Sequence, residues 1–230
     1  MEAVLEVRCV LSEESSELLA EFERRVQPSY ADKRERLCLQ LSLAEDDATS
    51  TKQVDGLLLK HESAPQIVQA RFDGFAFSRM RPYGQWCELR EEASRLWAIY
   101  RDVFKPNKVV RLGLRYINTI EVNVKSDLSE TLRLLPTLPS PVAPSGITSF
   151  TLRVSAEYPD FEAAGNLLEH LPPVPPEAET AQALLDIDVY MHLDLTPDDS
   201  AIWTRFDQLR ELKNFIFFSS VTPEAVRRFV

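Results

Sequence analysis

Charged side chains that could do chemistry recur on three strand-like segments in the second half of the sequence. VVRLGLRYINTIEV, from Val109 to Val122, carries Arg111 and Arg115. FTLRVSAEY, from Phe150 to Tyr158, adds Arg153. The segment Leu184–Leu195 holds Asp186, Asp188, His192 and Asp194. Two chemistries fit these residue types. Arginines in a concave site clamp phosphate or carboxylate through paired N–H donors. Asp-x-Asp with a histidine nearby offers donors to a divalent cation, so Asp186, Asp188 and His192 form a weak metal candidate.

Period-two alternation positions these groups. In the first segment the even residues from Val110 to Val122 are apolar except Asn118, and they include Tyr116. The odd residues include Arg111 and Arg115, roughly 13 Å apart at strand rise. In the second, Thr151, Arg153 and Ser155 oppose Phe150, Leu152 and Val154. In the third, Asp186, Asp188 and His192 oppose Leu185, Ile187, Val189 and Met191. Each strand thus has a greasy face for helices and a charged face. The plainest role of the charged face is a solvated surface with cross-strand ion pairs of about 0.2–1 kcal/mol each. If the sheet curves, the same face lines a groove. Arg111, Arg115 and Arg153, with Tyr116 and Asn118, are then the ligand-binding candidates. Asn118 falls on the apolar side, where an amide must find partners or cost about 1–3 kcal/mol.

The remaining elements follow from pattern. Ala3–Leu11 alternates as a strand, and Ser12 is placed to cap a helix reaching Val26. Leu37, Leu39, Leu41 and Leu43 share one side of a second strand. Turn chemistry in DDATSTKQVDG predicts only a short strand ending near His61. Ile67–Met80 reads as a strand pair or a bent strand, with Gly74 at the bend. Trp86–Phe104 carries a wide helical stripe that Pro106 ends. A short helix is expected near Leu128–Leu135 and a proline-rich loop over PTLPSPVAPSG; Phe161–Leu171 fits both helix and strand patterns, with strand the preferred reading. Thr196 and Pro197 resemble the start of a further helix, and Thr222-Pro223-Glu224 the start of the last.

Composition narrows the function classes. The 230 residues are 44% hydrophobic and 27% charged, with net charge −10. An acidic chain repels phosphate backbones at long range, which makes nucleic acid an unlikely partner. The phenylalanines Phe72, Phe75 and Phe77 could form a base-stacking platform, but core is the commoner use. No apolar run approaches the length of a membrane helix and no signal-peptide pattern opens the chain, so a cytoplasmic setting without membrane is expected. Cys9, Cys38 and Cys87 lack metal-ligand spacing and read as reduced thiols. Six glycines form no phosphate loop or dinucleotide fingerprint, and the three histidines are dispersed. No catalytic constellation stands out.

At RLGLRYINTIEV, LLDIDVYM and FDQLRELKNFIFFSSVTPEAVRRF the chain resembles a sporadically distributed bacterial family of uncharacterised proteins. The likeness rests on an Arg-x-Gly-Leu-Arg-Tyr-Ile-Asn strand at Arg111–Asn118, a Leu-Asp-Ile-Asp strand at Leu185–Asp188, and a Phe-Phe-x-Ser-x-Thr segment at Phe217–Thr222. It implies a bacterial accessory-gene product, of a kind associated with mobile or defence loci, and it assigns no catalytic residue.

The expected fold is α+β: two antiparallel sheets of related topology, with helices packed on one face of each. The expected halves are 1–106 and 107–230. The expected function is a non-enzymatic binding or interaction protein with a protein partner or a small anionic ligand, and without a cofactor. The alternative is a phosphate- or nucleotide-handling enzyme in which the arginines hold the anion and Asp186 with Asp188 binds Mg²⁺.

Overall fold

The computed structural model describes residues 2–44, 47–81, 84–137, 147–198 and 200–227, with backbone alone for 39–44 and 47–51. The strands are β1 (Glu2–Val10), β2 (Tyr30–Ala44), β3 (Asp47–His61), β4 (Gln66–Arg71), β5 (Gly74–Met80), β6 (Lys108–Asn123), β7 (Phe150–Tyr158), β8 (Ala163–Leu171) and β9 (Thr180–Leu195). The helices are α1 (Ser16–Val26), α2 (Trp86–Phe104), α3 (Ala201–Ser220) and α4 (Pro223–Val226). The class is α+β as expected. The strands, however, form one nine-stranded sheet in the order β2-β3-β4-β5-β1-β6-β9-β8-β7, where the sequence predicts two sheets. The reason lies in β1 and β6. Each is the first strand of its half, each lies inside the sheet, and the two are neighbours, so neither half ends in an edge there.

The chain forms two compact units. One comprises Val4–Leu112 and His192–Trp203; the other comprises Gly113–Met191 and Thr204–Val230 with the first residues of the chain. In the first unit, alternation along β1 buries Leu5, Val7 and Cys9. Leu19, Phe22 and Val26 of α1 and Leu89, Ala93, Leu96, Trp97, Tyr100 and Phe104 of α2 supply the helical side of the core. Trp97 stacks on Tyr100, and Tyr100 stacks on Phe104, with ring centroids 5.4 and 4.3 Å apart. The Tyr100 hydroxyl donates to the Arg71 carbonyl at 2.7 Å. Phe75 and Phe77 are fully buried in this core, so they offer no stacking platform for bases. Gly74 has φ +149°, and a Cβ there would meet the Val7 carbonyl oxygen at 2.2 Å; only glycine permits β5 to start so close to β1.

In the second unit, β6 buries Leu114, Ile120 and Val122 and β9 buries Leu185, Ile187, Val189 and Met191. Phe206, Leu209, Leu212 and Ile216 of α3 are also buried. Ile216 lies over Gly165 of β8, where a Cβ would stand 3.7 Å from its Cδ1. Thr222 caps α4 by accepting from the Ala225 amide at 3.2 Å, as its sequence predicts.

Several expectations change. The cap of α1 is Ser15, which accepts the Glu17 amide at 3.2 Å, while Ser12 donates to Asn107 Oδ1 at 2.9 Å. β3 is fifteen residues long, not short: its polar stretch pairs with β2 residue by residue from Ala44↔Asp47 to Leu37↔Val54. β4 meets β3 only from Gly56 to Lys60, so most of that stretch is a two-stranded ribbon with no alternation to reveal it. Leu37 on this ribbon is exposed; the side chains of Leu39, Leu41 and Leu43 lie outside the described residues. The helix expected near Leu128–Leu135 is a single 3-10 turn, Leu128–Glu130. α3 begins at Ala201, after Thr196 and Pro197 rather than at them. Most of the proline-rich loop lies outside the described residues. Among the described residues no helix is long and apolar enough to cross a membrane.

Candidate functional site

The polar face of β7, β8 and β9 in the second unit carries the site. Antiparallel register sets its rows. Arg153 opposes Leu168, and Leu168 opposes Asp186; in the next row Ser155 opposes Asn166, and Asn166 opposes Asp188. Directly opposed residues share a face. Arg115, Arg153, Asn166, Leu167, Leu168, Asp186 and Asp188 line a cavity of about 290 Å³. Arg115 donates Nε–H and Nη2–H to the two oxygens of Asp186 at 2.8 and 2.5 Å. The bidentate fork fixes both side chains and holds the Arg115 guanidinium above its ordinary pKa. Asp186 is buried, whereas Arg115 remains half-exposed. Ser155 donates to Asn166 Oδ1 at 2.7 Å, which orients the Asn166 amide toward Asp188 at 3.5 Å.

Arg153 differs from Arg115. It is exposed at the cavity mouth, and among the described residues it has no ion-pair or hydrogen-bond partner. The two arginines and two aspartates carry no net charge together. The cavity therefore suits a group that presents an acid to Arg153 and a donor to the aspartate side, as peptide does, better than it suits a free phosphate.

The other sequence candidates stand elsewhere. Arg111 belongs to the first unit, where Glu6 accepts from both Arg111 and Arg71, the latter at 2.8 Å. Burial opposes ionisation of Glu6, yet the Arg71 hydrogen bond and the Arg71, Arg111 and Arg8 charges hold its carboxyl below the ordinary value. Arg111 thus serves a structural ion network, not the cavity. Tyr116 and Asn118 occupy the helix side of β6. Lys213 of α3 lies 4.0 Å above the Tyr116 ring, and burial moves Tyr116 up to about 12 and Lys213 down to about 8. The Asn118 amide donates to the Leu185 carbonyl at 3.3 Å, a structural bond between β6 and β9. His192 belongs to the first unit and is exposed. Among the described residues no three His, Cys, Asp or Glu side chains converge as a metal site. Both Asp186 oxygens already face Arg115.

Asn166 is the residue that pattern reading missed; Ser155 was placed on the polar face but not read as part of the site. β8 is equally helix-like and strand-like in sequence, so its faces were not assigned; as a strand it places Asn166 opposite Asp188. On the other side of β8, Glu169 is fully buried, and neither of its oxygens has a hydrogen-bond partner among the described residues. It lies between Leu152 and Leu185, and desolvation pushes its carboxyl up to about 8.

Comparison with protein-family models, curated proteins and solved structures finds no match to this chain.

Proposed function

We propose that the chain is a non-enzymatic binding protein whose polar sheet face, around Arg115, Arg153 and Asp186, receives an acidic group of a partner. The observation that carries this reading is Arg153: a guanidinium lining a shaped cavity with no ion-pair or hydrogen-bond partner among the described residues, beside an Arg115 that Asp186 already engages. An unpaired guanidinium fork is a carboxylate receptor in waiting. The Arg115–Asp186 pair supplies a fixed wall and Asn166 a held amide. The family likeness would add a bacterial setting to this proposal and names no chemistry.

The test is thermal denaturation with acidic dipeptides and with inorganic phosphate. A ligand of the folded state raises the midpoint. An acidic dipeptide is expected to raise it, Arg153→Ala to abolish the rise, and phosphate to do less. A rise that survives Arg153→Ala, or a monomeric chain that shows no rise with any acidic ligand, overturns the proposal.

A further inference from the structure

The strand that carries Arg153 is the last in its sheet. β7 pairs with β8 on one side only, and among the described residues no backbone group from Thr151 to Glu157 is paired on the other. Such an edge templates a further strand unless it is blocked. The opposite edge of the sheet, β2, is blocked: Asp32, Lys33, Arg34, Glu35 and Arg36 place five consecutive charges on it. β7 has no proline, no irregularity in its register with β8, and only two charges, Arg153 and Glu157.

Those two charges are self-complementary. Place a second β7 antiparallel to the first with a two-fold axis through Ser155. Arg153 then opposes Glu157 of the second copy, and Glu157 opposes its Arg153. On the other face Val154 opposes Ala156 and Leu152 opposes Tyr158. Neither Arg153 nor Glu157 has an ion-pair partner within its own chain among the described residues. Val154 is 39% exposed, which leaves apolar surface on the helix side of the edge uncovered.

α3 supports the same contact. Lys213 lies over Tyr116 of β6, and Arg205 donates to Glu162 in the β7–β8 connection at 2.8 Å, so these residues mark the two flanks of the helix. At about 100° per residue, Phe215 falls farther round than Arg205, away from the Lys213 side. It therefore projects on the β7 flank, where it is 60% exposed.

We propose that two copies of this chain associate through their β7 edges, continuing the sheet across a two-fold axis at Ser155 with reciprocal Arg153–Glu157 pairs. An isologous dimer needs a self-complementary patch, and this strand supplies one. The inference rests on the binding function proposed above and identifies the acidic partner group of Arg153 as Glu157 of a second copy.

The experiment is light scattering and sedimentation equilibrium on the full chain and three variants. The unaltered chain is expected at twice its 26.3 kDa mass. Arg153→Glu and Glu157→Arg each set like charges opposite one another twice, which should weaken dimerisation about tenfold or more. The double variant Arg153→Glu with Glu157→Arg restores opposite charges and should recover the dimer. That recovery separates lost pairing from lost folding, since both positions are exposed. A chain monomeric throughout the accessible concentration range overturns the dimer, as does a dimer that both single variants leave intact. A monomer whose midpoint still rises with acidic dipeptides would overturn the dimer alone; a monomer that shows no such rise would remove both proposals.

Discussion

Glu169 should make this protein lose stability as the solution turns alkaline, against the trend of its other shifted carboxylates. Its folded-state carboxyl titrates at about 8, against 4.5 for the free group, because burial between Leu152 and Leu185 desolvates it and no donor reaches it among the described residues. The folded state therefore holds a proton that the unfolded chain releases between those values. Where the native state binds more protons, unfolding becomes easier as pH rises. The slope is about 1.4 kcal/mol per pH unit within that window. From pH 4.5 the loss reaches about 3 kcal/mol by pH 7 and about 4 kcal/mol by pH 8, and it levels off above about pH 9. Glu169→Gln mimics the protonated carboxyl in shape and keeps its polarity, so it removes the ionisation cost and little else. Urea denaturation of both proteins from pH 5 to pH 9 measures the difference. Groups such as Glu6 and Glu92, whose pKa is lowered, act in the opposite direction and cancel between the two proteins. The variant should match the parent near pH 5 and exceed it by about 3 kcal/mol at pH 7. Parallel stability curves for the two proteins would refute the reasoning.

Two further outcomes follow from the site and the core. In a double-mutant cycle with Arg115→Met and Asp186→Asn, the bidentate pair should show a coupling of about 1–2 kcal/mol, below that of a fully buried pair because Arg115 is half-exposed. With a thiol reagent, Cys38 and Cys87 should react in the folded protein and Cys9 only after unfolding. Cys9 is buried, and desolvation pushes its thiol up to about 11; counting thiols with and without denaturant checks it.

Period-two patterning made the second half of the chain legible. Arg115, Asp186 and Asp188 share the face that alternation assigns them, because each strand there is wet on one side only. The assignment failed where that asymmetry fails. In β6 Arg111 lies on the face opposite buried Leu112, but farther along the strand than the cavity, so its side chain joins Glu6 in the first unit. β8 hid its role because Ala163, Ala164 and Gly165 favour neither periodicity. Glu169 on its core side contradicts the pattern outright. The part of β3 before Gly56 pairs only with β2, and its polar sequence does not alternate. The single sheet was not readable at all, since β1 and β6 look like ordinary opening strands and only long-range pairing makes them central.

The first unit does not end where its last helix ends. It also needs Lys108–Leu112 and His192–Trp203, and the Trp97 indole donates to the Pro197 carbonyl at 3.3 Å. Severing the chain after α2 would therefore strip this unit of Val109, Leu112 and the indole's acceptor in one stroke. A cut at that point would not leave this unit with its whole core.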